Sequence, residues 1–573
     1  MMPACLLQKP KKENDTEEKR ERLKQEIEQY DGPGKNYTNK VRKFMEAHRI
    51  WKLDNLNYEW RQEFAQEIAV DIKENAWGGY LKAFDHLKQY SLRKKEFFLI
   101  EKEILQYPYE NKLLFLPYHP AQDLVKRLER IPMREEWLWD FSLPAPPLMK
   151  QQMYICLNNI LKMDGDLLHV RLKYLHLFYE FCVENQVVDM ELIKMEQIQV
   201  YKEFLKQRGK TKDFGILDMC RCILFVQEKD TRWDAMVWYM ERFHLNPERI
   251  DPASPVVSLS FVEIIHDGNR ELLQKYVQYT LGLTDLSINS LQAEMFRIRA
   301  FLQELTEDIR EITEDKIKKY LDKLQGINIK PRTFNLHVAA IRHFYDFLFI
   351  RKYILEIPFC ADYYIKKTFL IHHDRCVSEN TVEEILNNIH QFPEHLRLMY
   401  LHLWAIGIRI SEVCRLKGNA YYIEGEDAWI QVYQTKMKNY KRIPIPKTLY
   451  QLMQIYLKRN SIMSDAYIFQ NRKGGAYQSA TFRKQMISMC KKLGIQNGEY
   501  MFRAHDYRHG VATYFYDTGV SIQGIRDYLG HTYEEMTQQY IDYMPRRIDN
   551  ANEDYFEKQG GNLAACLKES VNE

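Results

Sequence analysis

The chain has 573 residues, too many for one hydrophobic core and enough for roughly three or four domains at about 150 residues each. Its hydrophobic share of 45% and charged share of 28% are those of a globular protein in water, and no run approaches the roughly 18 apolar residues of a membrane span. The net charge of +3 hides a division: residues 401–550 hold 21 Lys and Arg against 13 Asp and Glu, so a basic carboxyl-terminal region, suited to a polyanion such as DNA, follows a slightly acidic remainder.

The amino-terminal sequence MMPACLLQKPKKENDTEEKR places a brief apolar patch before dense charge, the reverse of a secretory signal, so a cytoplasmic protein is expected. Of ten cysteines only Cys220 and Cys222 lie close together, and no paired C-x-x-C spacing occurs. Reduced, mostly buried thiols with no bound metal are the expectation. Residues 1–40 read as a charged arm, and residues 41–142 and 150–275 as two helical modules, with Tyr58, Phe64 and Ile68, then Leu172, Leu175, Phe178 and Phe181, at helical spacing. The proline-rich LPAPPL at 143–148 separates the modules, and NPERIDPASPVV at 246–257 ends the second.

Residues 288–358 predict three helices, around 296–305, 317–324 and 333–349. On the third, Leu336, Ala340, Phe344 and Phe347 make one apolar face. The step from Tyr201 to Ile223 nearly equals that from Tyr320 to Ile341, which suggests a duplicated helical module. Residues 359–377 read as a linker, and Ser378 and Asn380 before TVEEILNNI mark a capped helix start and a new domain.

Within that domain GIRISEVCRLK puts Arg409 at the head of an amphipathic helix, with Glu412 near enough to orient a basic partner. AWIQVYQTKMKNYKRIPIP alternates, turns and resumes as a β-hairpin with Lys436 and Lys438 at its tip. In RAHDYRHGVATYFYDTG, His505 and Arg508 are three apart on a predicted helix and project from one face, a pairing suited to phosphate because guanidinium bonds two oxygens and keeps its charge. Gly519 and Gly530 end two helices, Ser521 caps the second, and His531 lies just past its end. A final helix, YEEMTQQYIDY, carries Tyr540.

In this order GIRISE, KMKNYKRIP, HDYRHG, LGH and TQQY resemble the motifs of the tyrosine recombinase (phage integrase-like) family, and the length before them is closer to large transposon-encoded members. The resemblance covers 378–545 and, more weakly, 288–358, which is similar to the family's core-binding (SAM-like) helical domain. It implies a mainly α protein: an α+β catalytic domain with a small antiparallel sheet, preceded by helical-bundle DNA-binding domains and followed by a tail at 546–573. It assigns Arg409 and Arg508 as catalytic arginines, Lys436 as the hairpin lysine with Lys438 as rival, and His505 and His531 as catalytic histidines. Tyr540 is the nucleophile, with Tyr543 as competitor. It also implies double-stranded DNA as partner, a synaptic tetramer, accessory proteins encoded by a mobile element, and no cofactor. The family's leucine between His and Arg is Tyr507 here. HDYRH spaces two histidines like a zinc hydrolase motif, but Asp506 is shorter than the required Glu and Arg508 would set a cation beside the metal. A type IB topoisomerase and a catalytically silent DNA-binding regulator are the other readings, the latter disfavoured because no catalytic position is missing.

Overall fold

The computed structural model describes residues 11–96, 109, 111–130, 134–163, 167–213, 215–368, 375–435 and 437–538. They are mostly helical, with three small antiparallel sheets among the described residues. The chain divides into two compact units, one of Met1–Phe243 with Ser258–Ile265 and the other of His244–Val257 with His266–Glu573. The chain therefore crosses between them three times.

In the first unit one apolar core runs from Leu23 to Leu224. It continues through LPAPPL, where the sequence suggested a break. Proline explains the difference: Pro147 opens the helix Pro147–Lys162, a position where its missing N–H leaves no bond unmade. That helix buries Met153, Tyr154 and Leu157 in the shared core. The stretch read as ending a module behaves otherwise too. Residues 244–257 belong to the second unit, and the strand that follows, Ser258–Ser260, returns to the first unit to pair with Val237–Tyr239, Trp238 opposite Leu259.

The second unit opens with four helices, α1 (Asp267–Leu283), α2 (Ile288–Leu302), α3 (Glu314–Gly326) and α4 (Pro331–Ile350). The Ser287 hydroxyl accepts from the Ser290 N–H at 3.2 Å and starts α2, and Pro331 starts α4. Tyr276 of α1 sets its ring 5.5 Å from Phe344 and 5.3 Å from Phe347 of α4, and Phe301 of α2 meets Tyr320 of α3 at 5.1 Å. Of the expected apolar face Ala340, Phe344 and Phe347 are buried and Leu336 is exposed; Phe334, Val338, Ile341, Tyr345 and Leu348 complete the buried stripe of α4.

Ser378 caps α5 (Glu379–Asn388), accepting from Thr381 N–H. There follow α6 (Glu394–Ile406) and α7 (Ile410–Cys414). An antiparallel sheet of β1 (Tyr421–Glu424), β2 (Asp427–Gln434) and β3 (Asn439–Ile445) comes next, with β2 in the middle. Beyond it lie α8 (Lys447–Arg459), α9 (Ser479–Lys492), α10 (Ala504–Asp517), α11 (Ile522–Leu529) and α12 (Glu534–Gln538). The inward phase of β2 is Ala428, Ile430, Val432 and Gln434; on β3 it is Lys441, Ile443 and Ile445. Two polar residues, Gln434 and Lys441, thus occupy inward positions next to the hairpin turn.

Residues 244–257 are tied to both parts of this unit. Arg249 donates to the carbonyls of Leu281 (2.7 Å) and Leu286 (2.9 Å), and Asn289 donates to Ser254 O (2.8 Å). Ala253, fully buried in the core of the α5–α10 region, accepts from the Ser479 N–H at 2.9 Å.

Candidate active site: a buried cationic cluster

The site is assembled from chain reversals. Gly407 ends α6 in the left-handed conformation (φ 62°), and Arg409 follows as the residue preceding α7. Its side chain pairs with Glu412 Oε1 at 2.9 Å while its N–H donates to Oε2 at 3.0 Å, so one carboxylate fixes both ends of the arginine. Arg508, one turn into α10, is 1% exposed. It donates through Nη1 to Gly407 O (3.0 Å) and through Nη2 to Leu529 O (2.7 Å) and His531 Nε2 (3.0 Å). These bonds join the end of α6, the end of α11 and the turn carrying His531.

Gly530 (φ 69°) reverses the chain after α11 and lets His531 turn back. The Nε2 of His531 accepts from Arg508, so its Nδ1 carries the hydrogen and donates to Thr537 Oγ1 at 3.0 Å. Thr537 is itself fully buried, on α12. His505 occupies the first turn of α10 at the exposed edge of the cluster, its ring 5.3 Å from that of His509. Tyr507 fills the position that the resemblance gives to leucine, and packs its ring against Tyr400 (5.2 Å) and Phe502 (5.4 Å) in the core.

Lys441 was not singled out in the sequence. Its side chain, 8% exposed, reaches Glu412 Oε2 at 3.4 Å and donates to Leu529 O at 3.3 Å. Gln434 donates to Gly530 O at 3.3 Å beside it. The signal that could have found Lys441 is its phase: it alternates inward with Ile443 and Ile445.

The electrostatics follow from this packing. Burial pushes the Glu412 carboxyl up, but Lys441, Arg409 and Arg508 together overcome burial and hold it below the ordinary range. Burial, reinforced by Arg508, Arg409 and Lys441, lowers His531 to about 3, so its imidazole is neutral. His505 is lowered by burial and by His509, Arg508 and Arg409. One buried carboxylate thus faces three cationic side chains, and the surplus suits an anion held by several donors at once.

Of the residues assigned from the sequence, the structure brings Arg409, Arg508 and His531 into one cluster with His505 at its edge. Lys436 and Tyr540 lie outside the described residues, as do Tyr543 and the tail at 546–573. Lys438 is at the hairpin turn with φ 51°, and pairs with Glu248 at 3.7 Å. Among the described residues no group of three or more His, Cys, Asp or Glu is placed to hold a metal ion, and no helix is long and apolar enough to cross a membrane.

A helical bundle leads into an α+β domain in which two arginines and a histidine converge on one buried point. Residues 375–547 match the phage integrase family model, and residues 271–352 match the model of the phage integrase N-terminal SAM-like domain. It is 24% identical over 347 residues to transposase B of transposon Tn554 from Staphylococcus aureus, a match covering 57% of this chain and 54% of the relative. The chain thus spans about half the length of that relative. Tyrosine recombinase XerA of Thermococcus onnurineus is 26% identical over 283 residues, covering 49% of this chain and 94% of the relative. Among solved structures, a lambda integrase dimer bound to a COC′ core site aligns with 48% of this chain and 95% of its own at 19% identity and a TM-score of 0.39. The Tn1549 transposon integrase with circular intermediate DNA aligns with 49% and 98% at 16% identity and 0.38.

Proposed function

We propose that the chain is a site-specific DNA recombinase or transposase that breaks and rejoins double-stranded DNA through a 3′-phosphotyrosyl intermediate, and so integrates, excises or transposes a mobile element. The observation that carries this reading is the surplus of positive charge: Arg409 and Lys441 pair with one carboxylate, Glu412, Arg508 acts on it through its charge, and a phosphodiester supplies the missing negative charge.

The chemistry assigns each residue a role. The Tyr540 phenol, which titrates near pH 10 in water, attacks phosphorus as its proton passes to His505, whose lowered basicity leaves the imidazole free to accept. Arg409 and Arg508 stabilise the charge that grows on the nonbridging oxygens. Lys436 protonates the departing 5′ oxygen. One P–O bond forms as another breaks, so a 5′ hydroxyl from a second strand reverses the step with no external energy source. His531 rigidifies Arg508 by accepting from its Nη2, and so holds that arginine in place for the phosphate. Four protomers on two DNA sites, with accessory proteins from the same element, form the working assembly, and residues 1–275 add DNA-binding and assembly surface.

The test is covalent capture. Cells expressing the protein are lysed in detergent, and the DNA that remains attached to it is sequenced. Wild-type protein is expected to retain DNA at discrete sites, and Tyr540→Phe none. Equal capture by the variant, or no capture by wild type, overturns the reading; specific DNA binding without capture points to a silent regulator.

A further inference from the structure

On the reading of the site given above, we infer that Lys441 is a further residue of the catalytic machinery: a positioning residue whose charged amine holds Glu412 and the Leu529 carbonyl, and through them the two arginines that receive the phosphate. It is distinct from the hairpin lysine assigned to proton transfer, because it projects from the inward phase of β3 rather than from the hairpin turn.

The geometry carries this in two directions. On one side Lys441 Nζ lies 3.4 Å from Glu412 Oε2, the oxygen that also receives the Arg409 N–H, while Oε1 holds the Arg409 guanidinium. Without a cation at 441 that carboxylate would keep Arg409 as its direct ion-pair partner and would draw its guanidinium away from an incoming phosphate. On the other side Lys441 Nζ and Arg508 Nη2 donate to the same carbonyl, Leu529 O, at 3.3 and 2.7 Å. That carbonyl belongs to the last residue of α11, two before His531, so the ammonium fixes the turn that presents His531. Lys441 thus touches both anchors.

The charged state matters because a neutral amine cannot balance Glu412. The groups facing Lys441 are Glu412 from α7, Arg409 just before it, Arg508 from α10 and His531 from the turn after α11. Burial, and after it the two arginines against the pull of Glu412, bring its amine from 10.5 down to about 8. Its charge is therefore present at neutral pH and lost in mildly alkaline solution.

The experiment compares wild type with Lys441→Met, which keeps the buried stem and removes the charge. On the DNA identified by covalent capture, the variant is expected to bind within about threefold of wild type by gel shift but to form the covalent adduct ~10–100-fold more slowly at pH 7, the scale of an angstrom-level misplacement. That gap is expected to narrow as pH rises above about 8, where the wild-type lysine itself becomes neutral. A role in packing alone gives a gap independent of pH. A pH-independent ratio, or adduct formation at the wild-type rate, overturns the inference. A second measurement needs no DNA. Between about pH 8 and 10 the unfolded chain keeps the proton that the folded lysine has released, so wild type gains urea resistance relative to Lys441→Met as pH rises. An unchanged difference across that range overturns the inference even if the chain proves to cut no DNA, and a failed capture with a changing difference overturns only the reading of the chemistry.

Discussion

Glu412 is the residue on which the site's charge balance turns. It is 3% exposed and is the counter-charge shared by Arg409 and Lys441. Glu412→Gln leaves both cations buried and uncompensated, which is expected to cost about 3–5 kcal/mol, read as a lower urea midpoint at pH 7. His402 makes a separate, pH-dependent contribution. Buried completely, it donates from Nδ1 to Leu398 O and accepts at Nε2 from the Tyr421 hydroxyl, both at 2.6 Å, and burial lowers it to about 4. Its folded value lies below the ordinary 6.5, so its contribution is full above pH 6.5 and is lost as pH falls toward 4, at ~1.4 kcal/mol per pH unit. His402→Gln is expected to flatten the acid limb of thermal stability; an unchanged limb would sink this assignment. At this scale the sequence was informative where a residue adjoins a helix boundary or shares a helix face, as Arg409, His505, Arg508 and His531 do. Lys441 escaped because its partner carbonyl is 88 residues away and a lysine in a hairpin ordinarily faces water.

Among the elements, the turn from α11 into His531 is the most constrained. Gly530 combines φ 69° with proximity to β2: a Cβ there would meet the Gln434 amide at 2.2 Å. Gly530→Ala is expected to cost about 1–3 kcal/mol in backbone strain and to displace Gln434 as well, seen as a lower melting temperature. Thr537→Val removes the acceptor of the His531 Nδ1–H and loosens the short helix three residues before Tyr540 from the cationic cluster. Because Arg508 still donates to Nε2, nitrogen NMR is expected to show the same single tautomer in both proteins, with the Nδ1–H resonance shifted in the variant. The hairpin of β2 and β3 was readable from strict alternation over seven or eight residues. β1 was missed because four residues beside a Gly turn carry too little periodicity, and α1 was divided because the module expected at 150–275 ends in the middle of its seventeen residues.

For the molecule as a whole, the uneven charge makes salt dependence the natural probe. The excess of eight positive charges in residues 401–550 is expected to make DNA affinity fall steeply between 50 and 200 mM salt, by ~10³-fold or more if six or more phosphates are neutralised. A shallow slope in a binding titration would show that contacts other than phosphate dominate. Ser378 marks the start of α5, whereas the bundle opens with α1, ahead of the expected start at 288. The sequence misjudged the first unit, where prolines that look like a linker instead start a helix in a continuous core. Punctuation in a sequence records where the backbone bends and is silent about which side chains share a core.

The interleaving of the two units also sets a timetable for synthesis. The described strands of the first unit are complete once Ser260 has left the ribosome, but the preceding stretch, 244–257, is by then already outside and ahead of its partners. Arg249 must wait for the Leu281 and Leu286 carbonyls, and Ala253 for Ser479, more than two hundred residues later. At ~5–20 residues per second that delay is on the order of ten seconds or longer, during which a loop held at both ends by a finished unit stays open to proteases and chaperones.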